Sequence, residues 1–399
     1  MTAGPERFSL RRILVATQVA FSLILLVGAL LFARSLHNLT TTEAGFKAEG
    51  ILTVSTDFSR ANFPLERRQE VFRELYSHLS TVPGVQSAAQ VWFTPVSGSG
   101  WDNEIGPDNT RAASSGKESW FNRVAPGYFR TMGTPFVAGR DFTGQDNLSS
   151  TKVAIVNELF ATKFFGSTNI LGRTFHMEAE AGKPESVIQI VGVVRNTKYY
   201  ELREDFRPIG FFPVAQEEKP GPGATFVLRV QGSPTELVNA VKASIAQVSP
   251  VIGIEFRSFS TQLEESLLRE RLMATLSGGF AILAGLLATL GLYGVISYMV
   301  TRRRNEIGLR IALGADRGSV IGLVLRETSL LLIFGLVAGV LCAVWAGRAA
   351  SSLLYGLKSY DPVSMSAAVV LLAVVGLMAS YGPARRAAAV QPMTSLRDE

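Results

Sequence analysis

Four stretches of this chain carry no charged residue, and all four are long. Ile13–Ala33 runs for 21 residues, Met273–Val300 for 28, Thr328–Gly347 for 20 and Pro362–Pro383 for 22. A helix needs about 20 apolar residues, at ~1.5 Å each, to cross a ~30 Å hydrocarbon core. Each run meets that length, and the second is long enough to tilt or project beyond the bilayer. Buried helices of a soluble core are the competing reading, but uncharged runs of this length are rare there. The fold class read from the sequence is an α-helical membrane protein with four transmembrane helices, one plus three. The first run exceeds the ~7–15-residue apolar core of a cleaved signal, and Leu31-Phe32-Ala33 is bulky where cleavage needs small residues. It reads as an uncleaved anchor, whose polar members Thr17, Gln18 and Ser22 are candidates to face another helix.

Residues 34–272, between the first and second runs, have the composition of a globular domain. Charged residues are 18% of the whole chain, against roughly 25% in soluble domains. With 47% hydrophobic residues, disorder is a poor reading. One cysteine, Cys342, cannot bridge within the chain, so a disulfide scaffold is excluded. The domain opens with a strand at Leu52-Thr-Val-Ser-Thr, then a helix over 65–81 with Val71, Leu75 and Leu79 on one face. Pro83-Gly84 ends it and Val85–Val91 makes a second strand. The same order recurs as a strand at 225–230, a helix over 235–248 and a strand at 252–256, which suggests an internal repeat. Between these units, strands are predicted at Val153–Asn157, Ser186–Val194 and Ile209–Val214, with a helix at Glu158–Phe165. The domain is therefore α+β. Thr261-Gln-Leu-Glu264 reads as a capping box opening a helix that carries Leu263, Leu267, Leu268 and Leu272 continuously into the second run.

The net charge of +6 has an address. Four spans put both termini on one side, together with the 301–327 loop. Residues 1–12, 301–327 and 384–399 hold twelve arginines against six acids, and the remaining 27 basic residues balance 27 acids. Basic residues in short loops mark the cytoplasmic face. The expectation is cytoplasmic termini and loop, with residues 34–272 outside the cell's inner membrane. No basic patch with interleaved aromatics remains, so nucleic-acid binding loses its support.

Motifs for chemistry are scarce. The sequence holds no G-x-x-x-x-G-K-[ST] phosphate loop, no H-E-x-x-H and no G-x-S-x-G. His37, His78 and His176 are far apart, and acid pairs such as Glu264-Glu265 and Glu178/Glu180 read as solvated surface. Apart from Cys342 and tyrosines, the spans hold no ionisable side chain, which argues against a proton-coupled carrier. No catalytic residue, cofactor or metal ligand is expected. Trp92, Trp101 and Trp120 could line a binding surface, with buried core as the blander alternative.

The informative segment is Arg302-Arg-Arg-Asn-Glu-Ile-Gly-Leu-Arg-Ile-Ala-Leu-Gly-Ala-Asp-Arg-Gly-Ser-Val-Ile. It predicts a short amphipathic helix with Ile307, Ile311 and Leu313 apolar, stopped by Gly314, with Asp316 capping the next helix. Such a helix could bind membrane lipid or dock a partner. Topogenic charge alone accounts for its arginines, but not for Glu306-Ile-Gly or the Leu-Gly-Ala turn.

Arg304-Asn-Glu-Ile-Gly-Leu-Arg-Ile-Ala-Leu-Gly-Ala-Asp-Arg resembles the R-x-E-I-G-x-R-x-A-L-G-A-x-R motif of the MacB/FtsX-like ABC transporter permeases. The tail Pro383-Ala-Arg-Arg-Ala-Ala-Ala-Val-Gln-Pro-Met-Thr-Ser-Leu-Arg is similar to that family's P-A-R-R-A-A-x-x-x-P-x-x-x-L-R ending. The opening from Arg11-Arg12, with Ala33-Arg-Ser-Leu and Pro83-Gly-Val-Gln-Ser, looks more like the second half of the duplicated acidobacterial permeases. The resemblance implies a permease subunit in the bacterial inner membrane that couples ATP hydrolysis to motion of an extracytoplasmic domain, for efflux or export. The ATPase is expected on a separate chain, because the macrolide exporters' own ATPase domain is missing from this sequence. Further implied partners are a second permease module (a homodimer or a first-half partner), a membrane-fusion protein and an outer-membrane channel.

The expected layout is a cytoplasmic segment 1–12, spans at 13–33, 273–300, 328–347 and 362–383, a coupling loop at 301–327, an outer loop at 348–361 and a tail at 384–399. An FtsX-like permease domain would cover 273–392. Within 34–272, a repeat-built part takes about 50–97 and 222–260 and an inserted part about 98–221. On the resemblance, Arg304, Glu306, Ile307, Gly308, Arg310, Gly314, Ala315 and Arg317 contact the ATPase, and Glu264, Leu267, Leu268 and Leu272 transmit the motion. A reading of another class stays open: a non-transporting membrane receptor or assembly scaffold that needs no ATPase.

Overall fold

The computed structural model describes residues 5–112, 115–178, 185–313, 316–357 and 360–388. In chain order the elements are α1 (Pro5–Thr41), β1 (Ile51–Asp57), α2 (Leu65–Ser80), β2 (Val85–Val91), β3 (Trp101–Pro107), β4 (Lys117–Val124), α3 (Tyr128–Met132) and β5 (Phe136–Gly139). There follow β6 (Val153–Asn157), α4 (Glu158–Phe165), β7 (Thr174–Met177), β8 (Ser186–Val194), β9 (Ile209–Pro213), β10 (Gly223–Val230), α5 (Val238–Val248), β11 (Gly253–Ser258) and α6 (Phe259–Ser266). The last four helices are α7 (Leu268–Arg302), α8 (Arg304–Ala312), α9 (Arg317–Ala349) and α10 (Pro362–Ala388). They form two units, a strand-rich one over Thr42–Leu267 and a helical one from the residues on either side.

In the strand-rich unit, β11, β1, β10 and β2 form an antiparallel sheet in that order. Side chains alternate across a strand. Leu52 and Val54 of β1 and Phe226 and Leu228 of β10 thus share one face with Val71, Leu75 and Leu79 of α2 and Val241 and Ile245 of α5. Gly84, at φ +95°, makes the turn from α2 into β2 that a side chain would strain. One pair, Val91 with Val124, joins this sheet to the rest. There β4, β3, β7, β8, β6 and β9 pair in sequence and β9 returns to β4, closing a ring of six strands. Closure leaves no open edge within the ring. Phe121, Phe175, Phe212 and Ile190 fill it, together with Phe160 from α4.

Two expectations need correction. Thr261 is not a helix cap: α6 begins earlier, at Phe259, whose fully buried ring packs edge-on against Phe46 at 5.4 Å. Nor does that helix run unbroken into the second span. It ends at Ser266, where its last turn tightens and the Leu267 amide bonds the Glu264 carbonyl at 3.2 Å. Leu267, buried and non-helical (φ −100°, ψ 7°), separates it from α7.

Among the described residues, the helical unit contains four apolar helices long enough to cross a membrane, α1 from Arg12 onward, α7, α9 and α10. Val15, Val19, Leu23, Val27 and Leu31 recur every fourth residue on α1 and form its buried stripe. Apolar packing gains little over lipid contact, so close approach of backbones carries the association. Gly335 and Gly339 of α9 supply it: a Cβ on the first would lie 2.8 Å from Val19, and on the second 2.9 Å from Leu23. Ser22 does face another helix, its Oγ donating to the Ala284 carbonyl of α7 at 2.9 Å, whereas Thr17 is exposed.

Candidate coupling site

α7 ends at Arg302, and after Arg303 (φ −97°, ψ 14°) the chain turns directly into the nine residues of α8. Two ties hold this corner. Arg303 Nη1 donates to Glu327 Oε1 of α9, and the other oxygen of Glu327 lies 3.7 Å from Arg12 Nη2 of α1. Asp316 caps α9 as expected, its carboxylate accepting from the Gly318 amide at 3.3 Å.

α8 has two apolar faces. Ile307 is 4% exposed and shares a buried cluster with Met299, Val320 and Val324, and Ile311 packs on the same cluster one turn later. Leu309 and Leu313 are also one turn apart and stand 56% and 79% exposed. Two residues along a helix is a rotation of about 200°, so the pairs point in opposite directions. The inward pair seats the helix on the bundle, leaving the outward pair uncovered.

The residues singled out from sequence divide accordingly. Arg304, Glu306, Arg310 and Arg317 are exposed, and Gly308 is buried. Ile307, expected at a partner surface, faces the interior. Gly314 and Ala315 lie outside the described residues. Leu309 lies outside the set expected from sequence, although its i, i+4 spacing with Leu313 signals a second face. In the other group, Glu264, Leu268 and Leu272 are exposed while Leu267 is buried. Among the described residues, no three His, Cys, Asp or Glu side chains converge in a way that could hold a metal ion.

Two family profiles match the chain. The MacB-like periplasmic core domain covers residues 14–248, and the FtsX-like permease C-terminal region covers 278–392. The chain belongs to the MacB/FtsX family of ABC transporter permeases. A Bacillus subtilis relative, "Uncharacterized ABC transporter permease YknZ", is 26% identical over 283 residues, covering 70% of this chain and 70% of YknZ. The "Macrolide export ATP-binding/permease protein MacB" of Wolinella succinogenes is 24% identical over 302 residues, covering 73% of this chain and 45% of that protein. The chain thus spans under half the length of that MacB protein. Among solved structures, the periplasmic region of MacB from Actinobacillus actinomycetemcomitans aligns with 14% identity and a TM-score of 0.37, covering 56% of this chain and 95% of that one. The extracellular domain of YknZ aligns with 15% identity and a TM-score of 0.33, covering 51% and 99%. In this MacB/FtsX permease the periplasmic core domain is thus inserted between the first and second of the four apolar helices.

Proposed function

We propose that this permease docks an ABC ATPase subunit on α8 and conveys nucleotide-driven motion to the periplasmic core domain, in the service of efflux or export. The uncovered Leu309/Leu313 pair, flanked by Glu306 and Arg310 on a helix seated by Ile307, is the observation that carries this reading. The arginine excess in residues 1–12, 301–327 and 384–399 supports a cytoplasmic position for α8 and both termini. The exposed Arg304 and Arg317 belong to the same docking surface, and contact with the ATPase is proposed for Gly314 and Ala315 as well. Motion would pass from α8 into α7 and through Leu272, Leu268, Leu267 and Glu264. With the helix broken at Leu267, this path works as a jointed relay. The apolar surface of α7 at Phe280, Leu283, Leu287 and Leu290 is available to lipid and to a second permease module. A membrane-fusion protein and outer-membrane channel would extend an efflux assembly beyond the inner membrane.

The test is co-purification of the ATPase subunit from native membranes with the wild-type chain and with Glu306→Lys and Leu309→Asp variants. Loss of the ATPase from both variants, with the chain still folded and membrane-inserted, is the expected result. Equal recovery with all three would refute docking at α8.

A further inference from the structure

The strand-rich unit contains a cleft of 870 Å³ between α2 and the 143–149 loop, floored by β2. Its size suits a small organic ligand, since such sites enclose about 300–1,000 Å³. Gln90 of β2 forms part of the floor. It is 6% exposed and lies on the same strand face as the buried Ala88, where an apolar residue would complete the packing against α2. No described residue pairs with its side-chain amide. Its polar atoms open onto the cleft, so a bound group can hydrogen-bond them in place of water.

The walls define the rest of that group. Arg73, on the exposed side of α2, is the one charged side chain lining the cleft among the described residues, and it enters no ion pair there. Phe72, Tyr76, Leu148 and Val214 supply apolar surface around it. One unpaired cation at the rim, no lining carboxylate and an apolar body with an amide open to the cleft at its base select a particular chemistry. We infer that this cleft binds an organic monoanion with an apolar or aromatic body, its acid group on Arg73 and a polar atom on Gln90. Binding here requires no ATPase, so the site stands or falls independently of docking at α8.

The test uses the full chain in nanodiscs and 4-benzoylbenzoate, an aromatic carboxylate that photo-crosslinks to nearby C–H bonds, with labelled peptides mapped by mass spectrometry. Saturable labelling is expected within residues 69–90 or 143–149. Arg73→Glu should reduce apparent affinity at least about tenfold, the usual scale for losing a charge-assisted contact. Arg73→Lys should retain most of it, and Gln90→Leu should weaken it with unchanged near-UV circular dichroism. The neutral analogue 4-benzoylbenzamide should label poorly. Labelling outside these segments, equal labelling of wild type and Arg73→Glu, or equal labelling by acid and amide would each overturn the assignment.

Discussion

Replacing Leu309 and Leu313 together by alanine separates the two faces of α8. Fully burying a leucine contributes about 2 kcal/mol relative to leaving it exposed. Docking can bury only the surface still uncovered, 56% of Leu309 and 79% of Leu313. Scaled by those fractions, the pair is worth about 1.1 and about 1.6 kcal/mol, an upper bound near 2.7 kcal/mol if the partner covers both. That corresponds to a roughly 100-fold rise in Kd for the ATPase subunit. Alanine is the best helix former, so α8 itself should survive the change. The internal control is Ile307→Ala, which removes buried atoms from the cluster with Met299 and Val324 and should cost the helical unit about 2–4 kcal/mol. The assay is a binding titration of the ATPase subunit against nanodisc-embedded permease, beside thermal unfolding of each variant. A double-alanine variant that binds within threefold of wild type would show that Leu309 and Leu313 are not the docking edge. Unchanged thermal stability of Ile307→Ala would refute its seating role.

Asn157→Ala should destabilise the strand-rich unit by about 2–4 kcal/mol in denaturant titrations followed by tryptophan fluorescence, because two buried amides lose their acceptor. Asn157 Oδ1 accepts from the Phe160 and Ile209 amides at 2.9 and 3.0 Å, while Nδ2 donates to the Arg207 carbonyl at 2.7 Å. Gly339→Leu should lower the unfolding temperature of the helical unit, since overpacking costs about 1–3 kcal/mol, while Gly278→Ala, with nothing within 4 Å of its Cβ position, should not. The hydrogen bonds from Arg140, both 2.8 Å, hold the Asp146 carboxyl below its ordinary value of 3.8. A lowered carboxylate pKa adds stability that is complete above the ordinary value and is lost as pH falls through the lowered one. Amide exchange in the 140–150 loop should therefore rise only below about pH 4, and Asp146→Asn should remove that pH dependence.

The four spans were legible because a charge-free run of about 20 residues has few other uses. The repeat-built sheet was legible because Leu52/Val54 and Val71/Leu75/Leu79 follow the periods of a strand and a helix. The ring of strands was legible at β6, β8 and β9 but hidden at β3, β4 and β7, and β4 shows why. Its buried positions include Ser119 and Asn122, whose side chains bond the Pro208 and Phe93 carbonyls at 3.0 and 2.8 Å. Polar residues satisfied by distant partners erase the alternation on which strand prediction rests. The break at Leu267 was hidden for a related reason. Thr261-Gln-Leu-Glu264 satisfies the local capping pattern, but burial of Phe259 fixes the start of α6 and burial of Leu267 accompanies its end. Ile307 was visible as apolar, yet spacing alone does not say which of two apolar faces a helix buries.

The twelve arginines of the two termini and the 301–327 loop are not equivalent once their partners are known. Arg12 and Arg303 meet Glu327, and Arg386 donates to the Tyr293 hydroxyl at 2.8 Å, so part of this charge is tied within the helical unit. Arg304, Arg310 and Arg317 enter no ion pair among the described residues and are exposed. These three lie in or beside the helix that carries the uncovered leucines. Charges at the edge of an interface mainly accelerate encounter, whereas desolvated apolar contacts set how long a complex lasts. Docking at α8 should therefore divide along the same line. Neutralising Arg304 and Arg310 should slow association and flatten its salt dependence, and truncating Leu309 and Leu313 should speed dissociation at any salt. On the proposed docking, the ties from Glu327 to α1 and to the end of α7 would pass a load on this edge to the spans themselves, since Arg303 is the only residue between α7 and α8.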